Sequence, residues 1–530
     1  MNHLPWHDGP RLEPARRAAR GMICTVDHLA SAIGLGVLAD GGTAADAAVA
    51  ASAALAVTTQ HMCGMGGDLW ALVHAASGPP DTLNSSGRAG SGSDPAKLRA
   101  EGFESMPLRG DLRSVPVPGC VDGWVALHER HGRLPLERLL GPAIELAEQG
   151  FPPTTLLEAA IDRVVDVDGA DDYRRYRSEG GLITRPGLGR SLRAIAREGR
   201  SGWYEGEFGQ RLLDMGDGLY QPADLARPAA DWVEPISAPV WGHTFWTVPA
   251  NSQGYLTALS AALVAGMDGL PTDTADPAWA HVLIEASKQA AHDRASVLHE
   301  GADLSPLFTP EALADRRRRI DPDRASTVPP PVAGGGTIYL CAVDGDGMGV
   351  SLMQSNAAGF GAHIAVPDVG VFLHNRGIGF SLEPGHPAEL GPRRRPPSTL
   401  CPALVTKPDN GLRMVLGTMG GDGQPQVVLQ LLARILQAGE PVDHALSAPR
   451  FTLTVPDAVG FDTWAKADEI TVAVERGSPW EAGLTARGHA VSPRPWGQGL
   501  FGHAHLVDID GPRLLGVAEP RALASAAIGR

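Results

Sequence analysis

Thr337 follows three glycines, Gly334 to Gly336, and opens a strand-like run, TIYLCAVD. The Gly336–Thr337 bond is a candidate autoproteolysis site, because glycines tolerate a strained backbone and the threonine hydroxyl can attack its own preceding carbonyl. Cleavage would free an α-amino group whose ordinary pKa of about 7.7–8.0 suits a general base for that same hydroxyl. Nucleophile and base then share one residue, and no distant His or Asp is needed. A glycine-rich turn before an ordinary strand is the plainer reading, and on pattern alone the commoner one. The run is not a phosphate loop, since the GKS/T ending is missing. A second spot is GTMGGDGQPQ, Gly417 to Gln426, between a strand and a helix. Backbone N–H groups of Gly420 and Gly421 at a helix entrance would suit an oxyanion hole, although a simple strand-to-helix turn explains the same residues.

These spots need a scaffold. His28–Leu38 carries apolar residues at helical spacing and stops at Gly41-Gly42, after which Thr43 can cap an alanine-rich helix, Ala44–Val57. Apolar on nearly all sides, that helix should be buried between layers. CGMGGD leads into the strand-like LWALVHA, and Pro135–Gly150 and Pro277–Leu298 read as helices with proline near the start. Residues 321–336 (DPDRASTVPPPVAGGG) are the clearest compositional break. Beyond it, Thr337–Asp344 and Met348–Ser355 form a hairpin around Gly345-Asp346-Gly347, and Leu400–Thr406 pairs with Leu412–Leu416 around Asn410-Gly411. Gln426–Ala438 reads as a helix. Paired strands with helices packed on them imply a layered α/β (α+β) sandwich.

A net charge of −15 on 530 residues argues against nucleic acid or an anionic membrane as partner. The N-terminus lacks a signal-peptide core, and no apolar run is long enough to span a bilayer, so the expected location is the cytoplasm. Five widely spaced cysteines with no CxxC pair read as idle thiols in a reducing compartment. His363 and His374 have no spaced partner that suggests a metal, and neither metal nor cofactor is expected. Asp27 and Asp46 read as helix caps. Asp422 and Gln424, beside the glycine pair, could orient substrate or cap the following helix.

From about Gly21 onward, the ordered blocks GMICTVDHLASAIGLGVLADGGTAADAAVA, GMGGD, PVPGCVDGW, GGGTIYLCAVDGDGMGVSL, SNAAGFG, LHNRGIGFSL, RRPPSTLCPAL and GTMGGDGQPQ resemble the γ-glutamyltransferase family of N-terminal-nucleophile hydrolases. The resemblance implies a four-layer αββα sandwich, cut into a large piece (1–336) and a small piece (337–530) that stay associated. It implies Thr337 as nucleophile, Gly336–Thr337 as processing site, and Gly420 and Gly421 as oxyanion donors. Asn356 occupies the family's asparagine position, Ser398 and Thr399 match the hydroxyl pair that binds the substrate α-carboxylate, and Gln354 stands where a threonine usually supports the nucleophile. Arg88 is nearest to the family's large-subunit arginine, shifted by two positions.

The departures bear on substrate. Gly379 replaces the acidic residue that binds the substrate ammonium, and Arg376 stands where a neutral or acidic polar side chain is usual. Losing an anion and gaining a guanidinium favours a carboxylate. The stretch between Phe380 and Arg393 is short, which opens the site to water and favours hydrolysis over transfer. The features are similar to the branch that includes oxamate amidohydrolase. The expected activity is hydrolysis of a small carboxylate-bearing amide through an acyl-threonine. Alternatives are a genuine γ-glutamyltransferase or glutathione hydrolase, a biosynthetic acylase or C–C hydrolase relative, and an unprocessed binding-only protein. A homodimer of processed heterodimers is left open.

Overall fold

Ile338, Leu340 and Ala342 pack into one apolar core and Tyr339, Cys341 and Val343 into another. A strand with both faces apolar must lie between two other layers. The computed structural model, which describes residues 11–75, 77–326, 336–454 and 470–530, supplies them. The proline run 329–331 and Gly334–Gly335 lie outside the described residues.

Two seven-stranded sheets stack face to face. The first runs, edge to edge, Ala526–Gly529, Gly21–Thr25, Gly336–Asp344, Met348–Ala357, Asp68–Ala75, Asp81–Ser85 and Asp231–Val233. The second runs Arg16–Ala18, Arg513–Val517, His503–Asp510, Leu412–Met419, Ala403–Thr406, His243–Thr247 and Ile236–Val240. Every pairing within these two sheets is antiparallel. Between the sheets lie Met22, Trp70, Tyr339 and Met353 from the first and Leu404, Val415 and Val507 from the second. Helices cover the outer faces. His28–Ala39, Ala44–Thr58 and Cys120–His131 pack on the first sheet, with Leu136–Gln149 against Ala44–Thr58, and Gly254–Ala265 and Gln424–Leu432 pack on the second, with Pro277–Ala291 against both. This is the four-layer αββα sandwich.

All fifteen residues of Ala44–Thr58 are buried, so this helix is central to its layer, and its short side chains let its neighbours approach closely. Asp27 caps the first helix, and Thr43 with Asp46 forms a reciprocal capping box on the second. Both are structural, as read. The helix expected over Pro277–Leu298 ends at Ala291 and resumes only as a short turn, Arg294–Val297. The strand expected from Leu400 begins at Ala403, because Pro402 has no N–H for a ladder. Both sheets interleave strands from either side of residue 336. Gly21–Thr25, for example, lies between Ala526–Gly529 and Gly336–Asp344. Among the described residues no helix is long and apolar enough to cross a membrane, and all five cysteines are buried free thiols.

Candidate active site

Thr337 sits near the start of its strand, fully buried, with Ser355 as its cross-strand partner. The pairing slips by one residue between Gly336 and Thr337, since Gly336 faces Ala357 while Thr337 faces Ser355. Asn356 is the extra residue of this bulge, a device that re-aims side chains. It is pinned from both sides of His61, accepting nothing there: its N–H donates to the Met62 carbonyl at 3.1 Å, and its Nδ2 to that of Gln60 at 3.0 Å.

The Thr337 and Ser355 hydroxyls are 2.8 Å apart. Ser355 Oγ also accepts from Arg376 Nη2 at 3.0 Å and from the Ala357 N–H at 2.8 Å. Arg376 is buried and held by Asp68, Nε to Oδ2 at 2.8 Å, while its Nη1 donates to Thr399 Oγ1 at 3.1 Å. One guanidinium therefore bridges the hydroxyl neighbour of Thr337 and the second member of the Ser398–Thr399 pair. Ser398 Oγ accepts the Leu400 N–H at 3.3 Å.

The strand Leu412–Met419 crosses this region on the inter-sheet face. Gly417 is required there, because a Cβ would meet the Tyr339 ring at 2.4 Å. The strand ends at Gly420 and Gly421, whose φ angles are +139° and +55°, and any L side chain at +139° is strained. Gln253, fully buried, ties this turn to the hydroxyl pair. Its Nε2 donates to the carbonyls of Gly421 (2.9 Å) and Thr399 (3.0 Å), and its N–H to that of Ser398 (3.0 Å). Asp422 is engaged by Arg294 at 2.9 Å and does not cap the next helix, whose N-cap is Gly423. Gly379 lines a cavity of about 350 Å³ together with Arg294, Ile378, Phe380 and Pro397.

The structure thus joins Thr337, Arg376 and Thr399 in one hydrogen-bonded chain, and brings Gly421 to Thr399 and Ser398 through Gln253. Three readings are corrected. Gln354 does not support the nucleophile: adjacent strand residues face opposite ways, and Gln354 points into the helical layer, where its Oε1 accepts from Ser52. Ser355 is the residue whose hydroxyl meets that of Thr337. Arg376 is not an uncompensated cation, because Asp68 neutralises it in the same buried pocket. Arg88 is committed to an ionic cluster with Asp231 (3.2 Å) and Glu300 (2.5 Å). Ser355, Asp68, Gln253 and Arg294 were not singled out from sequence. Strand alternation could have found Ser355, and the charge of Asp68 at the buried start of LWALVHA demanded a cationic partner.

Among the described residues, one group has metal-competent spacing: His281, Glu285 and His489, with donor atoms within 4.8 Å of one another. Its lone pairs are already used. Lys288 Nζ donates to Glu285 Oε1 at 2.7 Å, and His281 Nδ1 lies 2.8 Å from His489 Nε2. An ammonium inside the cluster does the work of a cation there.

A family model described as gamma-glutamyltranspeptidase matches residues 30–529. The oxamate amidohydrolase proenzyme of Klebsiella pneumoniae is 33% identical over 534 residues, spanning 96% of this chain and 98% of that protein. The glutathione hydrolase-like YwrD proenzyme of Bacillus subtilis is 33% identical over 449 residues, spanning 81% and 84% of the two chains. The crystal structure of cephalosporin acylase from Bacillus halodurans superposes with a TM-score of 0.89 at 32% identity, covering 100% of this chain and 99% of that one.

Proposed function

The chain belongs to the gamma-glutamyltranspeptidase family, and we propose that it is a self-processed N-terminal-threonine amidohydrolase acting on a small carboxylate-bearing amide. That it is an enzyme of amide-bond chemistry follows from the family and its relatives. The observation that carries the finer reading is the Thr337 hydroxyl, buried and bonded to Ser355, at the residue where the precursor would be cut.

In the proposed reaction the precursor breaks at Gly336–Thr337, giving pieces 1–336 and 337–530 that remain interleaved through both sheets. The freed Thr337 amine takes the hydroxyl proton, and Oγ1 attacks the substrate carbonyl. Gly420 and Gly421 N–H groups stabilise the oxyanion, the amine nitrogen of the substrate leaves with the proton, and water then releases the acid from the acyl-threonine. Ser398, Thr399, Arg376 and Asn356 frame the substrate, with Arg376 acting as a directional donor rather than as net positive charge. Gly379 supplies no carboxylate for an ammonium.

Electrophoresis tests processing. Fragments of about 35 and about 20 kDa (336/530 and 194/530 of 55.5 kDa) are expected, the smaller beginning TIYLCAVD, and Thr337→Ala should leave one full-length band and no activity. Ammonia release from oxamate tests the substrate. Cleavage of a γ-glutamyl anilide without any release from oxamate would overturn the carboxylate reading, and a single band from active wild-type protein would overturn processing.

A further inference from the structure

Asp68 cancels the charge of Arg376, so a carboxylate on the substrate needs another source of attraction. A separate set of cationic and imidazole groups lies beside the bulge that carries Asn356. The carbonyls of Gln60 and Met62 hold Asn356, and between them the His61 carbonyl accepts the Phe360 N–H at 3.1 Å. The same turn gathers the others. A Cβ placed on Gly359 would lie 3.5 Å from the His61 carbonyl and 3.7 Å from Arg163 Nη1. His363 closes that turn through its N–H to the Phe360 carbonyl at 3.2 Å, and the Ala362 carbonyl accepts the Gly110 N–H at 2.7 Å, which places Arg109 alongside. On the opposite flank, His503 follows Gly502, whose Cα would be 3.4 Å from a Cβ on Gly420.

Several polar atoms of this set are unanswered. Both ring nitrogens of His61 and of His503, Nε2 of His363 and Nη1 of Arg109 are buried without a hydrogen-bond partner among the described residues. Neither Arg109 nor Arg163 has an ion-paired carboxylate among the described residues. Instead the groups oppose one another. Burial, then Arg163 and His503, push His61 down to about 3. Burial, then Arg163, push Arg109 down to about 10. Burial, then Arg109 and, more weakly, Arg163, push His363 down to about 4. His503 is the exception in having an acid nearby, Glu519, which Arg450 and Arg521 already hold. Buried donors with no acceptor and like charges with no counter-ion are costly in a folded protein, and a bound anion would relieve both.

We propose that Arg109, Arg163, His61 and His363 form the subsite that takes the free carboxylate of the substrate, a site separate from the Arg376 pair. The proposal rests on the amidohydrolase reading for what is bound, and not for the binding itself. The carboxylate accepts from Arg109 Nη1 and from the one ring N–H that neutral His61 carries, with exposed Arg163 beside it and His363, whose ring also bonds the Gly359 backbone, flanking them. The arrangement selects amides whose acyl part ends in a carboxylate, and gives neutral amides no comparable hold.

Oxamate and its uncharged counterpart oxamide test the selection, with oxalate as a non-reacting probe of binding. Wild-type protein should bind oxalate in calorimetric titration. Arg109→Gln and Arg163→Gln should each weaken oxalate binding and raise KM for oxamate about 10- to 100-fold, as expected for a charge-assisted contact, with kcat and any oxamide turnover changed less than about threefold. Arg163 is exposed, so its variant guards against misfolding, and the fragment pattern on a gel checks both. No oxalate binding by wild type, or unchanged binding in both variants, overturns the subsite. Oxalate bound through these arginines while neither amide is cleaved leaves the subsite standing and sinks the oxamate reading instead.

Discussion

Arg376 and Asp68 form a wholly buried ion pair, 1% and 0% exposed at the side chain, with Nε 2.8 Å from Oδ2. The pair joins the first residue of the strand Asp68–Ala75 to a short helical turn, Arg376–Gly379, 308 residues away in sequence, and its guanidinium reaches both Ser355 and Thr399. It is therefore a fixed bracket across the site, and its strength lies in leaving neither charge alone.

Breaking that bracket on one side should be expensive. Asp68→Asn leaves a buried guanidinium uncompensated, which typically costs about 3–5 kcal/mol. Denaturant unfolding of the single-chain Thr337→Ala protein should show the loss, and adding Arg376→Gln should restore part of it. If Asp68→Asn alone costs less than about 1 kcal/mol, the pair is not what holds the site.

Ser355→Ala removes a hydroxyl bonded to Thr337 and strands donors from Arg376 and Ala357. Turnover by processed enzyme should drop by about tenfold or more, the worth of one such hydrogen bond with a charged donor nearby, and Ser355→Thr should recover much of it. Gln354→Ala should act on stability instead, through its Ser52 contact in the helical layer. Equal kcat losses for Ser355→Ala and Gln354→Ala would mean that the strand faces are assigned the wrong way round.

That contrast shows what could be read without coordinates. A layered α/β sandwich was legible in the paired strands and in the all-round apolar Ala44–Val57, while the four-layer αββα order came from the family resemblance. The glycine turn at 420–421 was visible because a strand and a helix flank it. The support for Thr337 was misplaced by one residue, because motif matching counts positions while a strand sorts them by parity, and the bulge at Asn356 resets that parity. Arg376 was legible as a guanidinium gained by the pocket, but Asp68 was not legible as its partner, since a separation of 308 residues leaves no local trace. Gln253 was equally hidden: it acts through backbone carbonyls, which carry no side-chain signature.

Gly420→Ala should damage catalysis without crowding. The nearest atom to a Cβ there is Gly502 Cα at 3.4 Å, an ordinary contact, so the cost is conformational, at φ +139°. A residue forced into that region costs about 1–3 kcal/mol, and relaxation would swing the peptide that carries the proposed oxyanion donors. Loss of one such donor costs about 10²- to 10³-fold in kcat, with KM little changed. A variant that keeps wild-type kcat would remove Gly420 from the oxyanion role.

Acid should weaken the fold well before carboxylates titrate, because of buried imidazoles. Burial pushes His505 down to about 3, and its Nδ1 accepts the Glu519 N–H at 3.2 Å, a bond that needs the unprotonated nitrogen. Burial likewise lowers His61 and His489 to about 3 and His503 to about 4. Here the folded value lies below the unfolded one, about 6.5. Between roughly pH 6.5 and 4 the unfolded chain thus binds more protons, and stability must fall as pH falls through that window. Glu519 adds to this only at lower pH. Burial raises it, but Arg450 and Arg521 outweigh burial and bring it to about 2. Its contribution is present above the unfolded value of about 4.3 and lost as pH falls toward 2. Urea midpoints of the Thr337→Ala chain should therefore drop from pH 7 to pH 5. His505→Gln, which can still accept the Glu519 N–H, should flatten the slope over that interval. A midpoint that stays level between pH 7 and pH 5 would mean that these imidazoles reach water and protonate in the folded protein.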